Sequence, residues 1–331
     1  MFWTITRFEA WYQLRNVYLL AWAFLSLSVT SALFLYEPMR IDPGESLIST
    51  SATYFLPIFL GIVVGLMVPM TAILGGAVVR DLQLGSGELL KATLLTRTGY
   101  VFGRFFGAFL PIALIYLLHV VLIWLVCQWP GLPSNKYPDF ELAALLQPAA
   151  IMATTLLSMA CILFAVGTLA RSALVSYIII ALLIGAWVFT LTKVEFGGYE
   201  DMRVALDWTG FASVLIANDM LSIHERNIEL LTLSPDFYQN RIVWLCIGGM
   251  SLLAAWLLQG TRGGLWGKRR VDAAAGPMPP EPGSLKRYQT KLDLAALRTQ
   301  IWARLTLDLK RICFGSSPTT QAVLVTGGSN L

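Results

Sequence analysis

From Leu146 to Thr192 the chain reads "LQPAAIMATTLLSMACILFAVGTLARSALVSYIIIALLIGAWVFTLT", and Arg171 is the one charged residue of this stretch. Each half is long enough to cross a bilayer, because the hydrocarbon core needs about 20 helical residues at ~1.5 Å rise each. Strands of a membrane barrel are shorter and alternate between apolar and polar side chains, which this stretch does not. The stretch therefore predicts two membrane-spanning helices joined by a tight turn at Arg171.

The rest of the chain has the same apolar character. Of its 331 residues 56% are hydrophobic and 13% are charged, and the mean hydropathy is +0.65. A soluble domain needs more polar side chains than this to cover its surface. Long uncharged runs predict six spans in an all-α integral membrane protein, a six-span helical bundle. The predicted spans are Val17–Tyr36, Tyr54–Val79, Phe105–Gln128, Leu146–Ala170, Ser172–Thr192 and Ile242–Gly260.

Polar segments flank the predicted bundle, which occupies residues 17–261. Residues 1–16 interleave apolar side chains with Arg7, Glu9 and Arg15, which predicts an amphipathic elbow helix in the membrane interface. Residues 262–289 are first basic and then rich in Pro, Gly and Ala, as in a juxtamembrane anchor followed by a linker. Apolar residues recur at helical spacing in 290–314, which predicts a cytoplasmic amphipathic helix before a tail at 315–331.

Basic residues set the predicted orientation, because Lys and Arg near span ends are retained in the cytoplasm. One side of the predicted topology collects eleven of them: Arg7, Arg15, Arg80, Lys91, Arg97, Arg104, Arg171, Arg262, Lys268, Arg269 and Arg270. The other side has six, diluted in longer acidic loops: Arg40, Lys136, Lys193, Arg203, Arg226 and Arg241. Both termini and the loop between the second and third spans are therefore predicted to be cytoplasmic.

The predicted spans carry little chemistry of their own. Apart from cysteine thiols, His119 is their only strongly ionisable side chain, and it is either a ligand or relay or a neutral histidine bonded to a neighbouring helix. The chain has no G-x-x-x-x-G-K-[ST], HExxH or GxSxG motif, and its four cysteines lack metal-binding spacing. We therefore expect no enzyme activity, no metal and no cofactor in this chain. If this protein does work, a partner protein must supply the energy.

The loop between the second and third predicted spans is charged and contains several glycines: "RDLQLGSGELLKATLLTRTGYVFGR", Arg80–Arg104. It resembles the cytoplasmic loop of type-2 ABC transporter permeases, in which "R(D/E)…G…E-L-L" precedes "T-P-x-x-R-x-x-Y-x-x-G-(K/R)". Leu94 departs from the pattern, because the family often has proline there. The matching positions are Arg80, Asp81, Gly87, Glu88, Leu89, Leu90, Thr93, Arg97, Tyr100, Gly103 and Arg104.

This resemblance implies a docking role for the loop. In the family it forms a coupling helix that binds the ATPase subunit, and the residues in that position here are Glu88, Leu89, Leu90, Lys91, Leu94 and Arg97. The resemblance also implies a separate ABC ATPase that binds ATP and Mg²⁺, and a second permease half in a homo- or heterodimer. The expected location is the bacterial inner membrane, in contact with lipid and without nucleic acid. The alternative for the segment itself is an ordinary solvated loop.

A second likeness lies in the outer segment. "HERN" from His224 and "NRIVW" from Asn240 resemble the first permease half of long fusion proteins, in which two six-span halves precede a zinc aminopeptidase-like domain. The likeness covers about residues 1–260, and no zinc-peptidase residues accompany it. The acidic loop 194–240 is predicted to be a solvated cap. The alternative is a short amphipathic helix in this loop that gates an exit or binds a partner.

Small residues are predicted to pack the spans, because polar side chains that could join them are scarce. The candidates are Gly61 and Gly65 in the second span and Gly103 and Gly107 at the start of the third. The second span is predicted either to form a dimer face with the other permease half or to pack within its own subunit. Both alternatives use the same glycines.

We therefore expect the transmembrane subunit of an ABC transporter, with export favoured over import. The alternative is a structural or regulatory membrane protein that transports nothing. A third hypothesis, an enzyme, would rest on His119 and a membrane-embedded thiol such as Cys161. The absence of acidic and basic side chains from the predicted spans favours lipid-like, peptide-like or neutral cargo.

Overall fold

A computed structural model describes residues 2–36, 50–83, 95–129, 141–192, 207–219 and 221–259. All of these residues belong to the first of two compact units, Met1–Arg270, and the second unit is Val271–Leu331. The described residues form helices and their connections, and none of them forms a strand. The predicted linker, the predicted helix 290–314 and the tail lie outside the described residues.

Helices make up most of this part of the chain. In order they are α1 (Phe2–Leu14), α2 (Val17–Tyr36), α3 (Ala52–Gly76), α4 (Val79–Gln83), α5 (Arg97–Cys127), α6 (Leu142–Ala170), α7 (Ala173–Thr192), α8 (Phe211–Asp219), α9 (Ile223–Ile228) and α10 (Pro235–Leu258). Each of the six predicted apolar runs lies largely within one of the long helices.

Four of the helical segments are long and apolar enough to cross a membrane: α3 together with α4, then α5, α6 and α10. α1 and α2 are bent by 65° relative to each other and together make a fifth candidate. α7 is apolar as well, although its apolar part, residues 173–188, is shorter than these spans. The chain is therefore a helical membrane protein with four to five candidate spans. The count of six spans and the interfacial position of α1 stay predictions.

The outward surface of the helices is apolar. Phe24 in α2 is 77% exposed, Leu182 in α7 is 63% exposed and Met250 in α10 is 69% exposed. Soluble monomers rarely expose contiguous apolar surface on this scale. Lipid chains are as apolar as these side chains, so a bilayer is the environment that this surface fits.

The centre of the bundle is formed by α3 and α6. Phe55 and Phe59 of α3 and Phe164 of α6 have no exposed surface. Gly167 of α6 lies directly on the backbone of Gly75 in α3, since a Cβ built at Gly167 would be 2.3 Å from the Gly75 carbonyl oxygen. Small residues at this crossing allow two helices to approach closely enough for backbone contact.

The start of α5 differs from the prediction. The helix begins at Arg97 and not at Phe105, because Thr96 caps it: the Thr96 hydroxyl accepts a hydrogen bond from the Gly99 amide at 3.1 Å. A run of uncharged residues ends at the first charge, whereas a helix continues to its cap. The helix therefore extends beyond the predicted span, and Arg104 lies inside it.

The start of α10 differs for the same reason. The helix begins at Pro235 and not at Ile242, because the Ser234 hydroxyl accepts from the Phe237 amide at 3.2 Å and Pro235 occupies the first turn. Arg241, predicted to lie in the outer loop, is therefore a helical residue.

The tight turn predicted at Arg171 is present. α6 ends at Ala170 and α7 begins at Ala173, and Arg171 between them adopts the left-handed conformation with φ 54° and ψ 27°. The Ser176 hydroxyl lies 3.4 Å from the Leu163 carbonyl oxygen. This contact shows that α7 folds back against α6.

Candidate functional site

A buried cluster of charged side chains lies where α1, α4 and α5 meet. Glu9 of α1 has no exposed surface. Arg80 of α4 donates to both of its carboxylate oxygens at 2.8 Å, and Arg104 of α5 donates to Oε2. Gln13, one turn further along α1, donates to Oε1 at 2.6 Å. One carboxylate thereby ties α1 to two other helices.

Asp81 and Tyr100 extend this cluster. Arg104 Nη2 lies 2.6 Å from Asp81 Oδ2, and the Tyr100 hydroxyl donates to the same oxygen at 2.5 Å. Asp81 is 6% exposed and Arg104 is 7% exposed. The two acids and two arginines balance in formal charge. We refer to the set Glu9, Gln13, Arg80, Asp81, Tyr100 and Arg104 as the ionic cluster.

α1 turns its polar face towards the bundle. Glu9 and Gln13 are buried together with Thr6, at helical spacing, whereas Trp3 is 77% exposed and Trp11 is 56% exposed. A surface helix of a soluble protein has the opposite arrangement, with its apolar stripe facing the core. The arrangement of α1 is the one expected of a helix that covers buried charges on one side and meets an apolar environment on the other.

Two glycines of α5 make room for α1. A Cβ built at Gly107 would lie 2.6 Å from Glu9 Cβ and 2.7 Å from the Thr6 carbonyl oxygen. A Cβ built at Gly103 would lie 3.0 Å from Ile5 Cβ. Gly103 and Gly107, both predicted to pack helices, therefore lie in a close helix contact, and their neighbour is α1.

Gly61 and Gly65 lie in a different environment. No described heavy atom lies within 4 Å of a Cβ built at either residue, and both border a cavity between α2, α3 and α5. In the described part of the subunit these two glycines make no close helix contact. Their contact with a second subunit stays a prediction.

The ionic cluster joins the two ends of the predicted coupling loop. Arg80 and Asp81 come before residues 84–94, and Tyr100 and Arg104 come after them. The pairs that Asp81 forms with Tyr100 and Arg104 hold the two ends together, and Glu9 fastens both to α1. The predicted docking residues of the loop that lie outside the described residues are Glu88, Leu89, Leu90, Lys91 and Leu94.

Arg97, the remaining predicted docking residue, contacts α10. Its guanidinium carbon lies 4.3 Å from the centre of the Trp256 ring, and Nη1 donates to the Leu257 carbonyl oxygen at 3.4 Å. The Trp256 indole N–H donates to Thr98 Oγ1 at 3.1 Å. Arg97 therefore joins the start of α5 to the end of α10, and its role in docking stays a prediction.

The ionic cluster fixes the relative position of three helices more than it adds to the net free energy of unfolding. Removing charges from water offsets most of the attraction between them, so an intact buried ion pair contributes little. Separating the partners is unfavourable by about 3–5 kcal/mol, because an unpaired charge stays buried. The cluster therefore holds α1, α4 and α5 in one relative position.

Arg241 organises a second buried polar site, at the start of α10. Its Nη1 donates to Thr155 Oγ1 at 2.7 Å, and its Nη2 donates to Asn240 Oδ1 and, at 3.2 Å, to the Trp208 carbonyl oxygen. Asn240 Nδ2 donates to the Asp207 carbonyl oxygen at 2.9 Å. The segment before α8 is thereby fastened to α6 and α10.

Gly210 is needed for this second site. It adopts φ +71°, and a Cβ there would lie 2.7 Å from the Arg241 guanidinium carbon. The turn that contains Gly210 is closed by the Asp207 carboxylate, which accepts from the Thr209 amide at 2.9 Å and from the Ala212 amide at 2.7 Å. The residues that resembled the outer motif of the fusion proteins, Asn240 and Arg241, thus hold a loop in place here.

The sequence alone does not show that the residues of the ionic cluster meet. Glu9 belongs to the predicted interfacial helix, and Tyr100 and Arg104 belong to the loop motif. The one signal in the sequence is that Glu9 is the only acid of α1. The expectation about His119 applies to the predicted spans. The helices extend beyond those spans, and Arg104 and Arg241 are buried within α5 and α10.

The helices and the ionic cluster define a class of protein, a helical membrane protein whose buried charges join an N-terminal helix to the bundle. A scan against models of known protein families gives no match to this chain. A search of curated proteins gives no significant match either. The functional interpretation therefore depends on the residues and their geometry.

Proposed function

We propose that this chain is the membrane-spanning subunit of a type-2 ABC transporter, driven by a separate ATPase subunit that docks on the loop Arg80–Arg104. The observation that supports this most directly is the ionic cluster, which joins both ends of that loop to α1 and α5. A loop that transmits force needs ends that do not separate under load. Buried ion pairs meet this need, because pulling them apart leaves unpaired charges.

In this proposal the loop moves when the ATPase closes, and the ionic cluster passes the movement on. Arg80 and Asp81 lie in α4, the short helix after α3, and Tyr100 and Arg104 lie in the first turns of α5, so α3, α5 and α1 respond together. Arg97 extends the connection to α10 through Trp256. The loop thus acts on several helices through contacts at one end of the bundle.

The assembly that follows from this proposal contains two permease halves and two nucleotide sites. The second half is another copy of this chain or a related one, and ATP and Mg²⁺ bind to the partner ATPase. Export across the bacterial inner membrane, with the ionic cluster on the cytoplasmic side, is the direction and place that we propose. The likeness to the first half of the permease and zinc-aminopeptidase fusions is part of this proposal.

A photo-crosslinking amino acid at Leu90 tests the docking of the ATPase. In native membranes we expect ultraviolet light to link position 90 to an ATPase subunit, identified by mass spectrometry. The matched control is the same amino acid at Leu114 of α5, which is apolar and 45% exposed; no ATPase should be linked there. If position 90 captures no ATPase, docking on this loop is wrong.

Substitution of the loop tests coupling. Glu88→Ala and Arg97→Ala should weaken association with the ATPase or the stimulation of its activity by the permease, whereas Glu141→Gln, at an exposed residue before α6, should change neither. If both loop variants leave association and stimulation unchanged, the coupling role is wrong. If deleting the protein leaves export and ATP turnover intact while a membrane complex falls apart, the structural or regulatory alternative is the function.

A further inference from the structure

The cavity between α2, α3 and α5 has a volume of about 640 Å³. Small-molecule sites typically occupy roughly 300–1,000 Å³, so the cavity is large enough for a ligand. The part of its wall that the structure describes contains no Asp, Glu, Lys or Arg. Lining residues that matter for its chemistry are Trp22, Ser26, Ile58, Gly61, Gly65 and His119.

His119 brings a hydrogen-bond acceptor to this wall. The side chain has no exposed surface, and its Nδ1 lies 2.8 Å from the Ile115 carbonyl oxygen. A carbonyl oxygen can only accept, so we assign the proton to Nδ1, which leaves a lone pair at Nε2 of the neutral ring. Nε2 has no hydrogen-bond partner among the described residues.

Ser26, the nearest hydroxyl-bearing residue of the wall on α2, does not satisfy Nε2. Its hydroxyl donates to the Ala23 carbonyl oxygen at 3.1 Å, and its own carbonyl, which also lies near the ring, has no proton to give. The acceptor at Nε2 is therefore left over within the described structure. A buried acceptor without a donor is unfavourable by about 1–3 kcal/mol, and a ligand that supplies the donor recovers it.

Trp22 brings a hydrogen-bond donor to the same wall. Its indole N–H is shielded from solvent, and no described group accepts from it. Buried indole N–H groups usually have a partner. The wall therefore presents one unsatisfied acceptor and one unsatisfied donor within otherwise apolar surroundings.

From this arrangement we infer that the cavity binds a neutral, lipid-like molecule that carries a hydroxyl group. A hydroxyl can donate to His119 Nε2 or accept from Trp22 Nε1, and it carries no charge. An anionic or cationic head group would be buried in a wall without a counter-charge, which is strongly unfavourable. The apolar remainder of the ligand lies against the aliphatic part of the wall.

The position of the cavity favours a ligand that comes from the bilayer. Leu25 and Leu33 of α2 border it and are 54% and 49% exposed on the apolar surface of the bundle. Neither unsatisfied nitrogen is in contact with solvent. This inference does not depend on the proposed function, because binding is expected in the absence of an ATPase.

Photolabelling with a matched pair of probes tests the site. The full chain in phosphatidylcholine nanodiscs is exposed to hexadecanol that carries a diazirine in its chain, or to the methyl ether of the same molecule. The ether cannot donate a hydrogen bond, and loss of one bond of about 1 kcal/mol weakens binding about fivefold. We expect the alcohol to label peptides of α2, α3 and α5 about fivefold more than the ether does.

Substitutions test which residues of the cavity wall are responsible for this labelling. Trp22→Phe removes the donor and should lower labelling by the alcohol several-fold, whereas Trp187→Phe, outside the cavity, should not. Gly61→Leu should abolish labelling by both probes, because the described structure leaves room there for a side chain that fills the cavity. Gly185→Leu, on α7 and also without described atoms within 4 Å of a Cβ, is its control.

Three results would overturn the inference. Equal labelling by alcohol and ether would show apolar partitioning without a hydrogen-bonding site. Labelling that survives Gly61→Leu would place the probes elsewhere. Cross-linking of Gly61→Cys to a second copy in the nanodisc would show that another subunit fills the cavity. Binding of the alcohol together with failure of the docking tests would leave this site standing and remove only the proposed transport role.

Discussion

Glu9 illustrates how one residue connects three helices. Its carboxylate accepts from Arg80, Arg104 and Gln13 and has no contact with solvent. Glu9→Gln keeps the size of the side chain but removes its charge, so that Arg80 loses its ion pair and Arg104 keeps only Asp81. We expect the free energy of unfolding in detergent to fall by about 3 kcal/mol, measured by titration with a denaturing surfactant.

Glu141→Gln is the matched control for this prediction. Glu141 is exposed, and its side chain makes no capping hydrogen bond at the start of α6. A surface change of this kind should alter stability by no more than about 0.5 kcal/mol. Equal losses in the two variants would mean that the ionic cluster does not hold α1 in place.

Glu225 is a titratable residue that lies outside the candidate spans. The pKa of its carboxyl is lowered because the side chain and the backbone of Ser222 donate hydrogen bonds to it in the capping box of α9. A lowered folded-state pKa means that the capping contribution is present above the unfolded pKa and is lost as pH falls through the folded pKa. Ser222→Ala should raise the pKa towards its ordinary value, measured by carboxyl NMR titration. An unchanged midpoint contradicts this account.

At the scale of the element, the contact between α1 and α5 depends on glycine. Gly107→Ala places a methyl group 2.6 Å from Glu9 Cβ, so α1 must move away from α5 and the pairs of Glu9 lengthen. We expect a loss of about 1–3 kcal/mol in unfolding free energy, as for other overpacked cores. A fall in the melting temperature in detergent measures it.

Gly185→Ala separates this steric effect from helix propensity. Gly185 lies in α7, with no described atom within 4 Å of a Cβ, so alanine there should stabilise the helix by about 0.5–1 kcal/mol. Gly107→Ala and Gly185→Ala should therefore shift the melting temperature in opposite directions. A shift of the same sign in both would show that α1 adjusts to the added methyl group without loss.

At the scale of the whole molecule, the predicted orientation of the protein in the membrane can be tested by labelling the two ends of one helix. α5 runs from Arg97 to Cys127, so Thr96 and Trp129 flank its opposite ends. In a chain whose own cysteines are replaced, we expect Trp129→Cys to react with an impermeant maleimide from outside the cell. Thr96→Cys should react only after the membrane is permeabilised, because the basic residues cluster at its end. The reverse pattern would invert the topology and place the loop Arg80–Arg104 outside.

The sequence by itself determined that this is a helical membrane protein. Hydropathy is a local property, and a chain in lipid must satisfy its backbone hydrogen bonds within each apolar segment, so a long apolar run is a helix whatever its neighbours are. The runs therefore located the long helices, and Arg171 located the turn of the hairpin. The capping hydroxyls of Thr96 and Ser234 are also present in the sequence, but a run of uncharged residues does not indicate where a cap begins the helix.

Only the tertiary structure decided which polar residues are buried and with whom. Glu9, Arg80 and Arg104 are far apart in the chain, and their meeting depends on how α1 crosses α5. The pairs Gly61/Gly65 and Gly103/Gly107 share one spacing, yet the first borders a cavity and the second receives a helix. A pair of glycines in a helix shows that another helix can approach closely. The packing of the whole bundle decides which helix does so.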